Sequence, residues 1–188
     1  MARYSAGHKE ATREKLVELA ARHIRINGMA SLGVASLMAE AGMTHGGFYA
    51  HFKSREALLA AAVERVFDQS VEALAYWPKK YGEGALSKYK DFYFSSRHRD
   101  DASAGCPVPS LAGEARLASP EVKAAFDAGL ERLGDAIARM TPEGETAAGR
   151  KAALCLLGEM AGVLALSRVV DAKRSGEVLA AGRKAVAV

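Results

Sequence analysis

Residues 37–52, LMAEAGMTHGGFYAHF, admit few folds. Leu37, Met38 and Ala41 recur at helical spacing and give one apolar face. Gly42 ends that helix, because glycine enters the left-handed conformation after a helix without a Cβ clash. Met43 is then apolar and suited to packing back across the turn, and Thr44 is a favourable cap for a second helix. Phe48 and Phe52 stand four apart, so they share the buried back of that second helix. Thr44, His45, Gly47 and His51 are left on its front. Two short helices at a tight turn, the second with a buried back and a front of small and hydrogen-bonding groups, suit the DNA major groove.

Charge distribution points the same way. The chain of 188 residues has a formal net charge of +4. Residues 1–55 hold eight Lys/Arg against four Asp/Glu, so the whole excess lies in the segment with the helical hairpin, and the remaining 133 residues balance. Four of the five histidines lie there as well. A basic module on a neutral body is the electrostatic footprint of a nucleic-acid-binding head.

The longer run AGMTHGGFYAHFKSREALL resembles the signature of the TetR/AcrR family of bacterial transcriptional regulators. That family has an Ala-Gly-apolar-Ser/Thr turn, an aromatic recognition helix ending in Phe, and a Lys-Ser/Asp-Lys/Arg-Glu-x-Leu opening of the next helix. Thr44, Gly46, Phe48, Tyr49, His51, Phe52, Lys53, Ser54, Arg55, Glu56 and Leu58 match. The resemblance covers about the first third of the chain. It implies an all-α fold: a helix-turn-helix DNA-binding domain over 1–53, and a helical ligand-binding and dimerisation domain over 54–188 that holds an effector pocket and a dimer interface. It implies DNA contacts from Ser36, Thr44, His45, Gly46, Gly47, Tyr49, His51 and Lys53, with Tyr49 and Lys53 on phosphates. The family's capping Thr or Ser is replaced here by Gly33, and Ser31 is the candidate to supply the lost hydroxyl.

Taken in order, residues 1–7 read as a mobile tail and about 8–26 as the first helix, with His23 a packed, hydrogen-bonded core residue rather than a ligand. The second helix is expected over about 34–41. Gly46 and Gly47 each weaken a helix by roughly 1 kcal/mol relative to alanine, which suits a backbone that must approach DNA closely. Ser54 caps a long helix with inward Leu59, Val63, Val66, Ser70 and Leu74, which ends at Tyr76-Trp77-Pro78. A helix over about 86–97 follows, and residues 98–110 form the longest irregular stretch. Ser119-Pro120-Glu121 opens a helix to about Met140, with Val122, Phe126, Leu130, Leu133 and Ile137 inward. Thr141-Pro142-Glu143 has the form of another start. The most apolar helix spans about 149–171, and a last one 177–188.

The aromatic and apolar residues Trp77, Tyr89, Phe92, Tyr93, Leu111 and Phe126 are candidates for a pocket between helices. In the family, the final two helices pair with their copies. That assigns Leu154, Gly158, Ala161, Gly162 and Ala165 to a homodimer interface. The segment GCPVPSLAGE resembles a Gly-Cys segment in a subset of such regulators, some of which sense electrophiles or oxidants. It makes Cys106 a candidate sensor, with its pKa lowered by a helix N-terminus and by Arg97, His98 or Arg99. The other cysteine, Cys155, is expected in the core.

No apolar run is long enough to cross a membrane, the N-terminus lacks a secretory apolar core, and two cysteines make no disulfide framework, so a cytoplasmic protein is expected. No metal-ligand spacing, phosphate-binding loop or catalytic set is present, so no metal, cofactor or enzyme activity is expected. The expected partners are a double-stranded DNA operator, a small-molecule effector and a second copy of the chain. A cysteine-dependent enzyme pairing Cys106 with His98, and a helical protein–protein adaptor, are the alternatives.

Overall fold

The computed structural model describes residues 6–186, and every regular element among them is helical. The α-helices are α1 (Ala6–Asn27), α2 (Val34–Glu40), α3 (Arg55–Leu74), α4 (Tyr76–Tyr81), α5 (Ala85–Tyr93), α6 (Ser96–Asp100), α7 (Val108–Ala115), α8 (Pro120–Ala138), α9 (Ala147–Ser167) and α10 (Ala172–Ala185). Most of the tail expected over 1–7, and the last two residues of the final helix expected over 177–188, lie outside the described residues.

The first three elements build a small head. Leu16, Ala20 and Ile24 form the buried stripe of α1. Leu37 and Met38 of α2 and Phe48 and Phe52 beyond the turn close over the same core. Gly42 has φ 76°, and its amide donates to Ala39 O, so the helix ends as the sequence requires. Lys15 donates to Ala41 O at 2.9 Å and Arg22 pairs with Glu40 at 2.5 Å, fastening α1 to the end of α2.

The long helix α3 belongs to head and body alike, packing on α1 and on α8. Ser54 caps it, accepting from the Ala57 amide at 3.0 Å. Its fully buried residues include Leu58, Ala62, Val63, Val66 and Phe67. Against α8 the backbones come so close that a Cβ on Gly129 would stand 2.4 Å from the Phe67 ring. Ser119 caps α8 with Pro120 in the first turn, as the sequence predicts. Val122, Leu133 and Ile137 are buried, whereas Phe126 and Leu130 are only partly covered.

Several boundaries differ from expectation. Tyr76-Trp77-Pro78 does not end the helical path; it is the first turn of α4, where a proline's missing N–H has no acceptor to lose. The helix expected over 86–97 is two. The chain breaks at Phe94, and Ser95 caps α6 by accepting from the His98 amide. The irregular stretch expected over 98–110 shrinks accordingly, bounded by α6 and α7. Thr141-Pro142-Glu143 forms a turn, and the start of α9 is taken by Thr146, which accepts from Gly149 N at 3.1 Å. Asp171 caps α10, which begins at Ala172, five residues before the expected start.

Candidate nucleic-acid interface and effector cavity

The expected recognition helix, His45–Ala50, is a 3-10 helix. Its bonds run from Gly47 N to Thr44 O at 3.0 Å and from His51 N to Phe48 O at 2.9 Å. Adjacent glycines and a six-residue length cannot sustain an α-helix without help, and the tighter winding is the short-helix solution. Phe48 and Phe52 stack with centroids 5.8 Å apart and are buried. They hold the segment to the core, with the Arg13 guanidinium 5.0 Å from the Phe52 ring.

The front is open. Thr44, His45, Gly46, Ala50 and Lys53 are exposed, and Tyr49 is 66 % exposed. His51 and Gly47 are half-buried. Thr44 has extended backbone at the cap position, but its hydroxyl makes no cap bond, unlike Ser54. Ser36 is exposed, with its hydroxyl turned to Gly33 O. Gly33 caps α2 without a side chain, and Ser31 does not replace the missing hydroxyl: its Oγ is engaged by Asn27 O, Gly28 O and His23. That same bond gives His23 a hydrogen-bonded role, but His23 is half-buried and not the core residue expected.

In the body, Trp77, Tyr89, Phe92, His98, Cys106, Ser70 and Leu133 line a small cavity of about 50 Å³. Trp77 is its hub, with ring centroids 5.6 Å from Tyr89 and 5.4 Å from Phe92. Of the six residues proposed for a pocket, Trp77, Tyr89 and Phe92 line this cavity. Tyr93 and Leu111 are fully buried and do not line it. Phe126 does not belong there: it packs edge-on against Phe67 at 5.0 Å. Leu133 and Ser70 are lining residues that the aromatic count missed.

His98 is buried and its tautomer is fixed. Nδ1–H donates to Tyr93 O at 2.8 Å, and Nε2 accepts from the Cys106 amide at 3.0 Å. A protonated ring would set Nε2–H against that amide, and burial, the largest influence, holds the pKa below the usual histidine value. Cys106 is brought beside His98, but through its backbone. Burial pushes the Cys106 thiol up. The Tyr93 hydroxyl, the Val108 amide, Arg25 and Arg168 pull it down by less. The expected lowering is therefore reversed: desolvation outweighs the groups that lower the pKa, and the cations among these are Arg25 and Arg168, not the expected Arg97, His98 or Arg99. The Tyr93 hydroxyl lies near the thiol without a well-formed hydrogen bond. Cys155, expected in the core, is exposed on the outer face of α9.

That outer face carries four of the five residues expected at a dimer interface. Leu154, Gly158 and Gly162 are exposed and Ala165 is half-exposed, with Leu166 and Val169 extending the apolar strip. Ala161 is buried within its own subunit, so its side chain is not on that strip.

Two arginines that sequence reading passed over organise the 98–106 segment. Arg168 donates to Arg99 O, His98 O and Ser110 Oγ. Arg25, from α1, donates to Gly105 O at 2.6 Å, Val66 O at 2.7 Å and Ser70 Oγ at 3.2 Å. The signal was present: Val17, Ala21 and Arg25 stand four apart, so the arginine continues a buried row. A second head–body tie runs from the Ala30 amide to Glu114 at 2.7 Å.

A helical head with an exposed, short second helix, carried on a helical body, is the helix-turn-helix arrangement. Residues 16–62 match the family described as bacterial regulatory proteins, tetR family. That segment belongs to this family, and the chain as a whole has the TetR-like fold. No curated relative matches by sequence. Among solved structures, the reduced form of NemR from E. coli is 21 % identical, with 94 % of this chain and 95 % of that one covered and a TM-score of 0.74. A TetR-family regulator from Agrobacterium tumefaciens is 17 % identical over 96 % of this chain and all of that one, also at 0.74. RolR bound to resorcinol is 21 % identical over 98 % and 91 %, with a TM-score of 0.62. The described residues contain no His/Cys/Asp/Glu group arranged to hold a metal ion, and no described helix is long and apolar enough to cross a membrane.

Proposed function

We propose that this chain is a homodimeric, effector-responsive repressor of transcription in the cytoplasm, with residues 1–53 as the DNA-binding unit and 54–188 as the effector-binding and dimerisation unit. Each subunit places the Thr44–His51 surface in a major groove. Two-fold symmetry then sets half-sites of a near-palindromic operator about 34–36 Å, or a multiple, apart. The observation that carries this reading is the front of the 3-10 helix: exposed Thr44, His45, Gly46, Tyr49 and Lys53 over a back sealed by Phe48 and Phe52. Tyr49 and Lys53 hold phosphates; Ser36, His45, Gly47 and Ala50 face base edges or backbone. With no Arg or Asn on the segment for a bidentate base contact, specificity rests largely on DNA shape.

The effector is a small apolar or aromatic molecule that enlarges the Trp77–Tyr89–Phe92 cavity, a reading that the resorcinol-bound RolR neighbour supports by analogy of fold. Release by modification of Cys106 is the second reading. Arg25 and Arg168 near the thiol favour a thiolate, while burial opposes it more strongly. The dimer forms through the final two helices, α9 and α10, with Leu154, Gly158, Gly162 and Ala165 on the outer face of α9.

Binding of the purified chain to its own upstream DNA, measured across a salt series, tests the assignment. The wild type should bind with a steep salt dependence. The double variant Tyr49→Ala, Lys53→Ala should bind at least about tenfold more weakly with a shallower salt slope and an unchanged melting curve. Full affinity in the double variant would overturn the docking surface.

A further inference from the structure

We infer that Arg25 is the positioning residue through which the conformation of the 98–106 segment reaches the DNA-binding head; this rests on the reading that the head binds DNA and the Cys106 cavity takes the effector. The buried polar residues among those described are Arg25, His98, Ser167 and Ser175, so Arg25 is the one whose charge is permanent. It is 5 % exposed, and no described carboxylate lies within ion-pair distance of it. Its partners are neutral: two carbonyls and one hydroxyl, with Nε left bare. A carboxylate on a flexible side chain could follow a moving guanidinium. The Val66 carbonyl, locked in α3, cannot, and the Gly105 carbonyl goes wherever its own segment goes.

That segment is the wall of the cavity. Gly105 and Cys106 both line it. Their placement depends on a short chain of bonds, from Gly105 N to Asp101 O at 3.1 Å, from Cys106 N to His98 Nε2 at 3.0 Å, and from His98 Nδ1 to Tyr93 O at 2.8 Å. A cavity of about 50 Å³ is on the scale of a water or two and smaller than any aromatic effector, so entry requires a wall to yield. The other lining residues come mainly from α3, α4, α5 and α8; residues 101–107 have no helix to hold them. When Gly105 O moves, the 5 % exposed Arg25 guanidinium loses its shortest bond, and α1 must follow or leave the charge short of an acceptor. The head side of α1 is tied to α2 through Arg22–Glu40 and Lys15–Ala41, so a shift of α1 carries the reading surface. The two ends of this device bias one two-state element, as coupling between sites requires.

The test needs no identified effector. A Cβ at Gly105 would meet Asp101 O at 2.9 Å, so Gly105→Ala displaces the segment by itself. It is combined with Arg25→Met in a double-variant cycle, with Arg25→Lys as a parallel background should the methionine variant not fold. Two readouts are taken: affinity for the upstream DNA fragment that the wild type binds, and, without DNA, amide hydrogen exchange across residues 34–50. With Arg25 present, Gly105→Ala should weaken DNA binding by about tenfold and speed exchange in 34–50. With Arg25 replaced, it should change affinity less than about twofold and leave exchange in 34–50 unmoved. Equal effects in both backgrounds would overturn the coupling, since a merely structural arginine gives additive losses. If the wild type binds no DNA, the functional reading has failed, and the exchange arm alone decides for or against the coupling.

Discussion

Glycine fills two regions of this molecule for opposite reasons. At Gly129, inside the body, the space for a Cβ is already occupied by the Phe67 ring, so the residue is dictated by the chain itself. At Gly46, on the head, nothing in the chain lies within 4 Å of where a Cβ would sit. At Gly47 the nearest atoms are at ordinary contact distances, 3.6 Å and beyond. Neither head glycine has a positive φ. No close packing within the chain therefore demands these two adjacent helix-weakening residues, and the proposed docking of this surface on DNA would use the space they leave.

Substitutions can break that contrast. The largest effect is expected at Gly129→Ala, which overpacks the α3–α8 contact and should destabilise the fold by about 1–3 kcal/mol in denaturant unfolding. A stability change under about 0.5 kcal/mol there would mean that Phe67 swings aside freely. Gly46→Gln should reverse the pattern: stability equal to or slightly above wild type, and DNA affinity lower by about tenfold, or about 1.4 kcal/mol. Unchanged affinity would place the DNA elsewhere.

Acid distinguishes the regions next. His98 is buried neutral with its pKa held below the unfolded value. Between those two values the unfolded chain binds a proton that the folded chain does not. The stability that His98 permits is thus fully present above about pH 6.5 and falls as pH drops toward the folded pKa, by at most about 1.4 kcal/mol per pH unit. His98→Gln should be less stable at pH 7.5 and lose less between pH 7 and 5. An identical pH slope would remove His98 as the titrating group. The smallest effect separates two cap positions on the head. Ser54→Ala should cost about 1 kcal/mol, because its hydroxyl accepts the Ala57 amide, while Thr44→Ala should cost only a few tenths.

How much of this was legible depended on whether the deciding contact was local. Gly42, Ser54 and Ser119-Pro120 act within one helical turn, and each did what the sequence requires. Thr141-Pro142-Glu143 and Thr146 are two start signals within six residues. Thr146 is the one that starts the helix, after a turn in which Gly144 O folds back onto the space beside Gly149. The direction of α9 was non-local: it is apolar nearly all round, so the pattern could not tell that Cys155 faces out and Ala161 in. The aromatic cluster around Trp77 was visible as a composition, but its size was not. For Cys106, the sequence shows the helix N-terminus, while the acting cations Arg25 and Arg168 and the burial that outweighs them are properties of the assembled body.

The division between Phe48 and Phe52 on one side and His45, Gly46, Tyr49 and Ala50 on the other also bears on how such a protein changes over generations. The anchoring rings are bound to the fold, and a change at either is tested first by whether the chain folds. The exposed positions are free of that test. On the proposed DNA-binding reading, a lineage that duplicates this chain can therefore explore new operators through them one substitution at a time, with the anchoring of the fold unchanged.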